Sequence, residues 1–165
     1  MKALGAILGF ALLATIAPRA STIFARGAWA AIDRGGSCEA LARSVRIAAK
    51  GKVQATAGFA FTPDHRRWGE FHARLSRTPR AASTVMLQIG DRPFLLVVRG
   101  DWAWSRGPLQ EQAIIAAARD GPAMRVEARD GAGRRFVDTY LLEGAATAID
   151  AAAARCALRG AGKIQ

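Results

Sequence analysis

Residues 85–98 read VMLQIGDRPFLLVV, and the fold class follows from how this stretch is parsed. Val85, Leu87 and Ile89 alternate with Met86 and Gln88, Gly90 and Asp91 supply a turn, and residues 94–98 form an unbroken apolar run. Alternation at period two closed by a glycine-bearing turn marks an antiparallel hairpin, because successive strand side chains point to opposite faces. The unbroken run predicts a return strand buried on both faces, or nearly so. Gly100 and Asp101 end it ahead of Trp102 and Trp104, which share one face if the strand resumes. One of these two indoles is expected in the core, since each buries a large area.

The same period recurs on both sides of the hairpin. Val53, Ala55, Ala57, Phe59 and Phe61 lie on one side of an extended segment that Thr62, Pro63 and Asp64 end. Phe71, Ala73 and Leu75 then face one way and His72, Arg74 and Ser76 the other, the pattern of a sheet wet on one side. Further on, Gly107 and Pro108 open a helix, proline being suited to the first helical position. Leu109, Ala113, Ala116 and Ala117 make its apolar face, and Gly121 with Pro122 stops it. A second hairpin follows: Met124, Val126 and Ala128 alternate with charged residues, residues 130–133 turn, and the return strand carries Phe136, Tyr140 and Leu142. Thr147 and Asp150 read as a capping pair for a helix over residues 151–158, with Ile149, Ala152, Ala153 and Cys156 on one face. Strands outnumber helices and arrive as hairpins, not as βαβ units. The expected fold is therefore mainly β, an antiparallel β-sandwich or open barrel with two short helices.

The opening residues, MKALGAILGFALLATIAPRA, run from one lysine through an uncharged stretch to Pro18 and small residues. That is the order of a secretory signal peptide over residues 1–20, and the uncharged part is shorter than the roughly 20 residues a bilayer span needs. Its removal leaves residues 21–165, the size of one domain with one core, in the periplasm or secreted. The whole chain carries 24 basic against 13 acidic residues; without Lys2 and Arg19 the balance is still +9. Such a balance favours an anionic partner, although an arginine-, alanine- and glycine-rich composition is also what a GC-rich genome produces. Cys38 and Cys156 are either a bridge or two buried thiols, and export selects the bridge.

The run GDWAWS at 100–105, AIIAAARDG at 113–121, residues 123–156 and FHARLSR at 71–77 together resemble the invasion-associated locus B family. These are small exported proteins of alphaproteobacteria, named for a role of some members in host-cell invasion. The resemblance implies a signal peptide, an all-β body and disulfide bonding, and it hands over no catalytic residues. Phe24, Trp29 and Cys38 stand where that family has an aromatic residue, a tryptophan and a cysteine. The gap from tryptophan to cysteine is longer here, and only two cysteines occur.

Residues able to carry chemistry are few. His65 and His72, with Asp64 and Glu70 nearby, fall short of the four ligands of a closed zinc site and read as solvated side chains. No metal or other cofactor is expected. Ser76, His72 and Asp64 supply the types for a hydrolytic triad, but no nucleophile elbow surrounds any serine, so no catalytic residue is assigned. Gly131-Ala132-Gly133 lies between strands and reads as a turn, not a nucleotide loop. Trp29 is expected to pack near the bridge. The cationic cluster Arg66, Arg67, Arg74 and Arg77, with Trp68 and His72 among it, reads as a strip on the water side, either an ordinary solvated face or a site for an anionic lipid, a glycan or an acidic protein surface. Nucleic acid is a poor partner outside the cytoplasm, and any membrane contact would be peripheral. The expected function is a non-enzymatic envelope protein that binds a partner; the alternative is a small envelope hydrolase or inhibitor-like protein with a pocket near His72.

Overall fold

The computed structural model describes residues 20–162; the expected leader lies outside the described residues, apart from Ala20. Among the described residues, eleven strands form two antiparallel sheets with two helices, and neither sheet closes into a barrel. The large sheet runs in the order β1 (Ser21–Arg26), β2 (Trp29–Asp33), β3 (Cys38–Arg43), β4 (Thr56–Phe61), β5 (Trp68–Arg74), β9 (Trp102–Trp104) and β8 (Val97–Arg99). The small sheet runs β11 (Arg135–Leu141), β10 (Ala123–Arg129), β6 (Met86–Ile89) and β7 (Arg92–Leu95). Alternation fixes what each strand buries. Cys38, Ala40 and Ala42 from β3, Phe59 and Phe61 from β4, and Phe71 and Ala73 from β5 join Leu87, Ile89, Met124, Val126 and Tyr140 of the small sheet in one core. Trp29, 1% exposed, stacks on Phe59, and its indole N–H donates to the Leu141 carbonyl at 2.8 Å, which ties the two sheets together.

Residues 94–98 do not form the doubly buried strand expected of them. Phe94 and Leu96 are buried, but Val97 is half exposed and Val98 only partly covered. The run is split at Leu96, which leaves β7 on the edge of one sheet and begins β8 on the edge of the other. An apolar run therefore serves here as the crossover between layers, where each residue meets a different neighbour, and edge strands keep one side open. Trp102 and Trp104 are likewise not core residues. Both are partly exposed on the outer face, while Ala103 between them is buried.

Both helices differ from expectation in detail. α1 (Pro108–Asp120) has Pro108 at its start as expected, but it buries Glu111, Ile114, Ala117 and Ala118, leaving Leu109 85% exposed and Ala116 exposed. The burial of Glu111 rotates the face: its carboxylate accepts from the Ser105 hydroxyl at 3.0 Å, which anchors the first turn to the end of β9. Burial raises the Glu111 pKa, and that hydrogen bond opposes the rise.

α2 (Ala145–Ala161) begins six residues before the expected start. Its N-cap is Gly144 in the left-handed region (φ 87°), where a Cβ would also overlap the Arg26 carbonyl oxygen. Thr147 and Asp150 thus lie inside the helix, and Asp150 is ion-paired with Arg119 of α1. The buried face of α2 is Ala145, Ala148, Ile149, Ala152 and Cys156, and it packs on β2 and β3, whose inner residues Ala31, Ala40 and Ala42 are also small. Two ties hold this contact. Cys38 and Cys156 meet at disulfide distance, with Cα atoms 5.8 Å apart. Next to them, Asp33 is 2% exposed, accepts from Arg155 Nε at 2.8 Å and forms an ion pair with Arg159 at 2.8 Å. Burial works to raise the Asp33 pKa, but the Gly35 N–H and the two guanidiniums outweigh it and hold the carboxylate below its ordinary range. Trp29 sits at the far end of the β2–β3 pair from the bridge, since Asp33 faces Cys38 whereas Trp29 faces Ala42.

Candidate functional site

The outer face of the large sheet carries the most developed site. Cross-strand pairing places Leu41 opposite Gly58, Gly58 opposite His72, His72 opposite Trp104, and Trp104 opposite Val97, one continuous row across five strands. A parallel row runs Arg43, Thr56, Arg74, Trp102 and Arg99. Over these rows lies a cleft of about 480 Å³ lined by Arg34, Glu39, Arg67, His72, Trp102 and Trp104, among others. The two indoles stack with centroids 6.2 Å apart and planes 18° from parallel, and the His72 ring lies 6.1 Å from Trp102.

His72 is the residue whose setting departs furthest from the sequence reading. It stands on the expected side of its strand yet is 5% exposed, not solvated. Alternation reports which side a residue takes, not whether that side is wet, and here its cross-strand neighbour Trp104 and the adjacent Trp102 cover it. Gly58 makes the room: a Cβ at that position would overlap the Ala40 carbonyl oxygen and stand 3.3 Å from His72 Cε1. Burial holds the imidazole below the ordinary histidine range; the charge of Glu39 opposes this and the Arg67 guanidinium reinforces it. A neutral ring results, and its Nδ1 has no hydrogen-bond partner. Arg67 Nε, 2.9 Å from Glu70 Oε1, is similarly buried without an aligned acceptor.

The four arginines expected to form a strip are separated. Arg67 and Arg74 line the cleft, where Arg74 pairs with Asp101 at 3.1 Å. Arg66 stays on the turn before β5, paired with Asp64. Arg77 reaches the small sheet, pairs with Asp130 at 3.1 Å, and lines a second groove of about 730 Å³. Ser76, His72 and Asp64 are not assembled either. Ser76 opens onto that second groove, where its N–H donates to Asp138, and Asp64 accepts from the Thr62 hydroxyl. His65 stacks on Trp68 with centroids 3.9 Å apart, away from His72, and no group of three or more metal-ligating side chains occurs among the described residues. The turn at residues 130–133 is a hairpin turn as read, closed by Asp130 accepting from the Ala132 and Arg134 N–H groups.

Arg34, Glu39, Leu41, Gln54 and Thr56 of the cleft, and Gly58 behind His72, are not singled out by the sequence. One signal was present: a glycine inside a strand pattern marks a close approach of something to the backbone. Comparison with family models, with curated proteins and with solved structures finds no match to this chain.

Proposed function

We propose that this protein is an exported, non-enzymatic binding domain of the cell envelope and that its outer-face cleft takes an acidic glycan. The observation that carries the reading is the stacked, partly exposed pair Trp102 and Trp104 in a cleft that Arg67 and Arg74 also line. Flat indole faces suit the apolar faces of sugar rings, and guanidiniums suit a carboxylate or sulfate. Arg67 and Arg74 supply the last of these while each retains donors beyond its ion pair. Mostly rigid, partly apolar walls with a few converging polar groups are what small-ligand sites require.

The export part of the reading is supported by the leader-like opening, by a cysteine pair at disulfide distance and by the resemblance to the invasion-associated locus B family. One observation favours the hydrolase alternative, the carboxylate of Glu39 in the same cleft as His72. Ser76 does not line that cleft, so this second reading has a base and a carboxylate without the serine first considered.

Calorimetric titration against uronic-acid-containing and neutral oligosaccharides tests the proposal. Acidic oligosaccharides are expected to bind, and Trp104→Ala to weaken them by roughly tenfold or more, the scale of one well-used aromatic contact. Equal binding by wild type and Trp104→Ala, or no preference for the acidic sugars, would reject the cleft as their site. Product formation during the titration would favour the hydrolase.

A further inference from the structure

A different surface, the loop between β3 and β4, carries a second and independent inference. Residues 43–54 read RSVRIAAKGKVQ, with four cations and no acid. Arg43, Arg46, Lys50 and Lys52 are all exposed, and none is ion-paired with a described acid. Between these charges stand two of the most exposed aliphatic side chains of the described residues, Val45 at 56% and Ile47 at 69%.

The loop is fastened in this posture. The Gln54 side chain accepts from the Ala48 N–H at 2.9 Å and donates to the Ser44 hydroxyl at 2.9 Å and toward the Arg46 carbonyl at 3.3 Å. At its base, the Ser44 N–H donates to Ala55 and the Val45 N–H to Thr139 of β11. These bonds hold the loop with Val45 and Ile47 exposed. Arg46, Ile47 and Lys52 also line the second groove, beside Asp138 and beside Arg77 and Arg135, whose charges are paired with Asp130 and Glu127.

We propose that this loop docks the domain on an anionic membrane surface, with Val45 and Ile47 entering the boundary between headgroups and acyl chains and the four cations meeting lipid phosphates. Isolated aliphatic tips set among unpaired cations fit that boundary: the apolar groups leave water while the long basic side chains stay at headgroup level. A polyanion such as nucleic acid or a soluble acidic protein would use the charges and leave the aliphatic pair in water. The outer-face cleft takes no part in the argument, so this inference stands or falls apart from the glycan reading.

The test is cosedimentation of the protein, as recovered from cells expressing the full chain, with vesicles of phosphatidylethanolamine containing or lacking phosphatidylglycerol. Preferential binding to the anionic vesicles is expected. Lys50→Gln with Lys52→Gln should weaken it by roughly 30-fold, at about 1 kcal/mol per basic residue near the surface. Val45→Ser with Ile47→Ser should weaken it by about tenfold or more while conserving charge. All four positions are exposed, and an unchanged circular dichroism spectrum shows that each variant is folded. Anionic-vesicle binding that survives the serine changes, equal binding to both vesicle types, or tighter capture by soluble polyphosphate than by vesicles would each overturn the proposal.

Discussion

Gly58 lies directly across from His72 on adjoining strands of the large sheet, and its missing Cβ is the space against which the imidazole rests. A side chain here would meet the Ala40 carbonyl oxygen on one side, Leu41 Cδ1 at 3.1 Å and His72 Cε1 at 3.3 Å on the other. The oxygen belongs to a strand paired along its length and has little freedom to yield. Gly58→Ala should therefore lower stability by about 1–3 kcal/mol, the usual cost of overpacking, and weaken any ligand of the cleft by displacing His72. Urea unfolding with a wild-type midpoint would show that β3 and β4 have slack to accept the methyl group.

His72 makes stability depend on pH with a definite sign. Its pKa in the folded state lies below the ordinary 6.5 because burial disfavours the imidazolium. The unfolded chain thus takes up the proton first as pH falls. This contribution is intact above about 6.5 and is lost as pH drops from there through the depressed folded value. Thermal unfolding followed across this range should show a falling midpoint for wild type and a shallower fall for His72→Gln. An identical slope in both proteins would assign the dependence to other groups.

The Cys38–Cys156 pair closes a loop over a sequence separation of 118 residues. A bridge there should contribute about 4–5 kcal/mol by restricting the unfolded chain, so Cys38→Ser with Cys156→Ser should show a correspondingly lower guanidinium midpoint. Asp33 with Arg155 and Arg159 still ties α2 to β2 in that variant, so the native fold should persist at low denaturant. Peptide mass mapping without reductant should recover the two cysteines joined. Free thiols in protein recovered from the envelope would contradict both the bridge and the oxidising address.

Much of the fold could be read from period-two patterns because these report a local property, the side of the strand each residue takes. The hairpin of β10 and β11 shows this best. Met124, Val126 and Ala128, then Phe136 and Tyr140, are buried as the alternation requires, and Asp130 closes the turn between them. The β2–β3 hairpin was harder to read, since its inner residues Ala31, Ala40 and Ala42 are too small to stand out as an apolar stripe. Their meaning comes from α2, whose alanine face needs a close approach. The start of α2 is hidden from the sequence for a related reason: Thr147 and Asp150 have capping side chains, but the chain turns into the helix at Gly144, which the Arg26 carbonyl crowds from a strand far away in sequence.

Residue types in order were enough to establish a mainly β chain with strands arriving as antiparallel hairpins, since alternation and turn chemistry operate over a few residues. Pairing across the sheets decided the rest. It brought His72, Trp102 and Trp104 to one cleft with Gly58 across from His72, sent Arg77 to a different groove from Arg67 and Arg74, and made residues 94–98 a crossover between layers. Burial and charge at those positions are set by neighbours on other strands, and no local pattern along the chain encodes which neighbours those are.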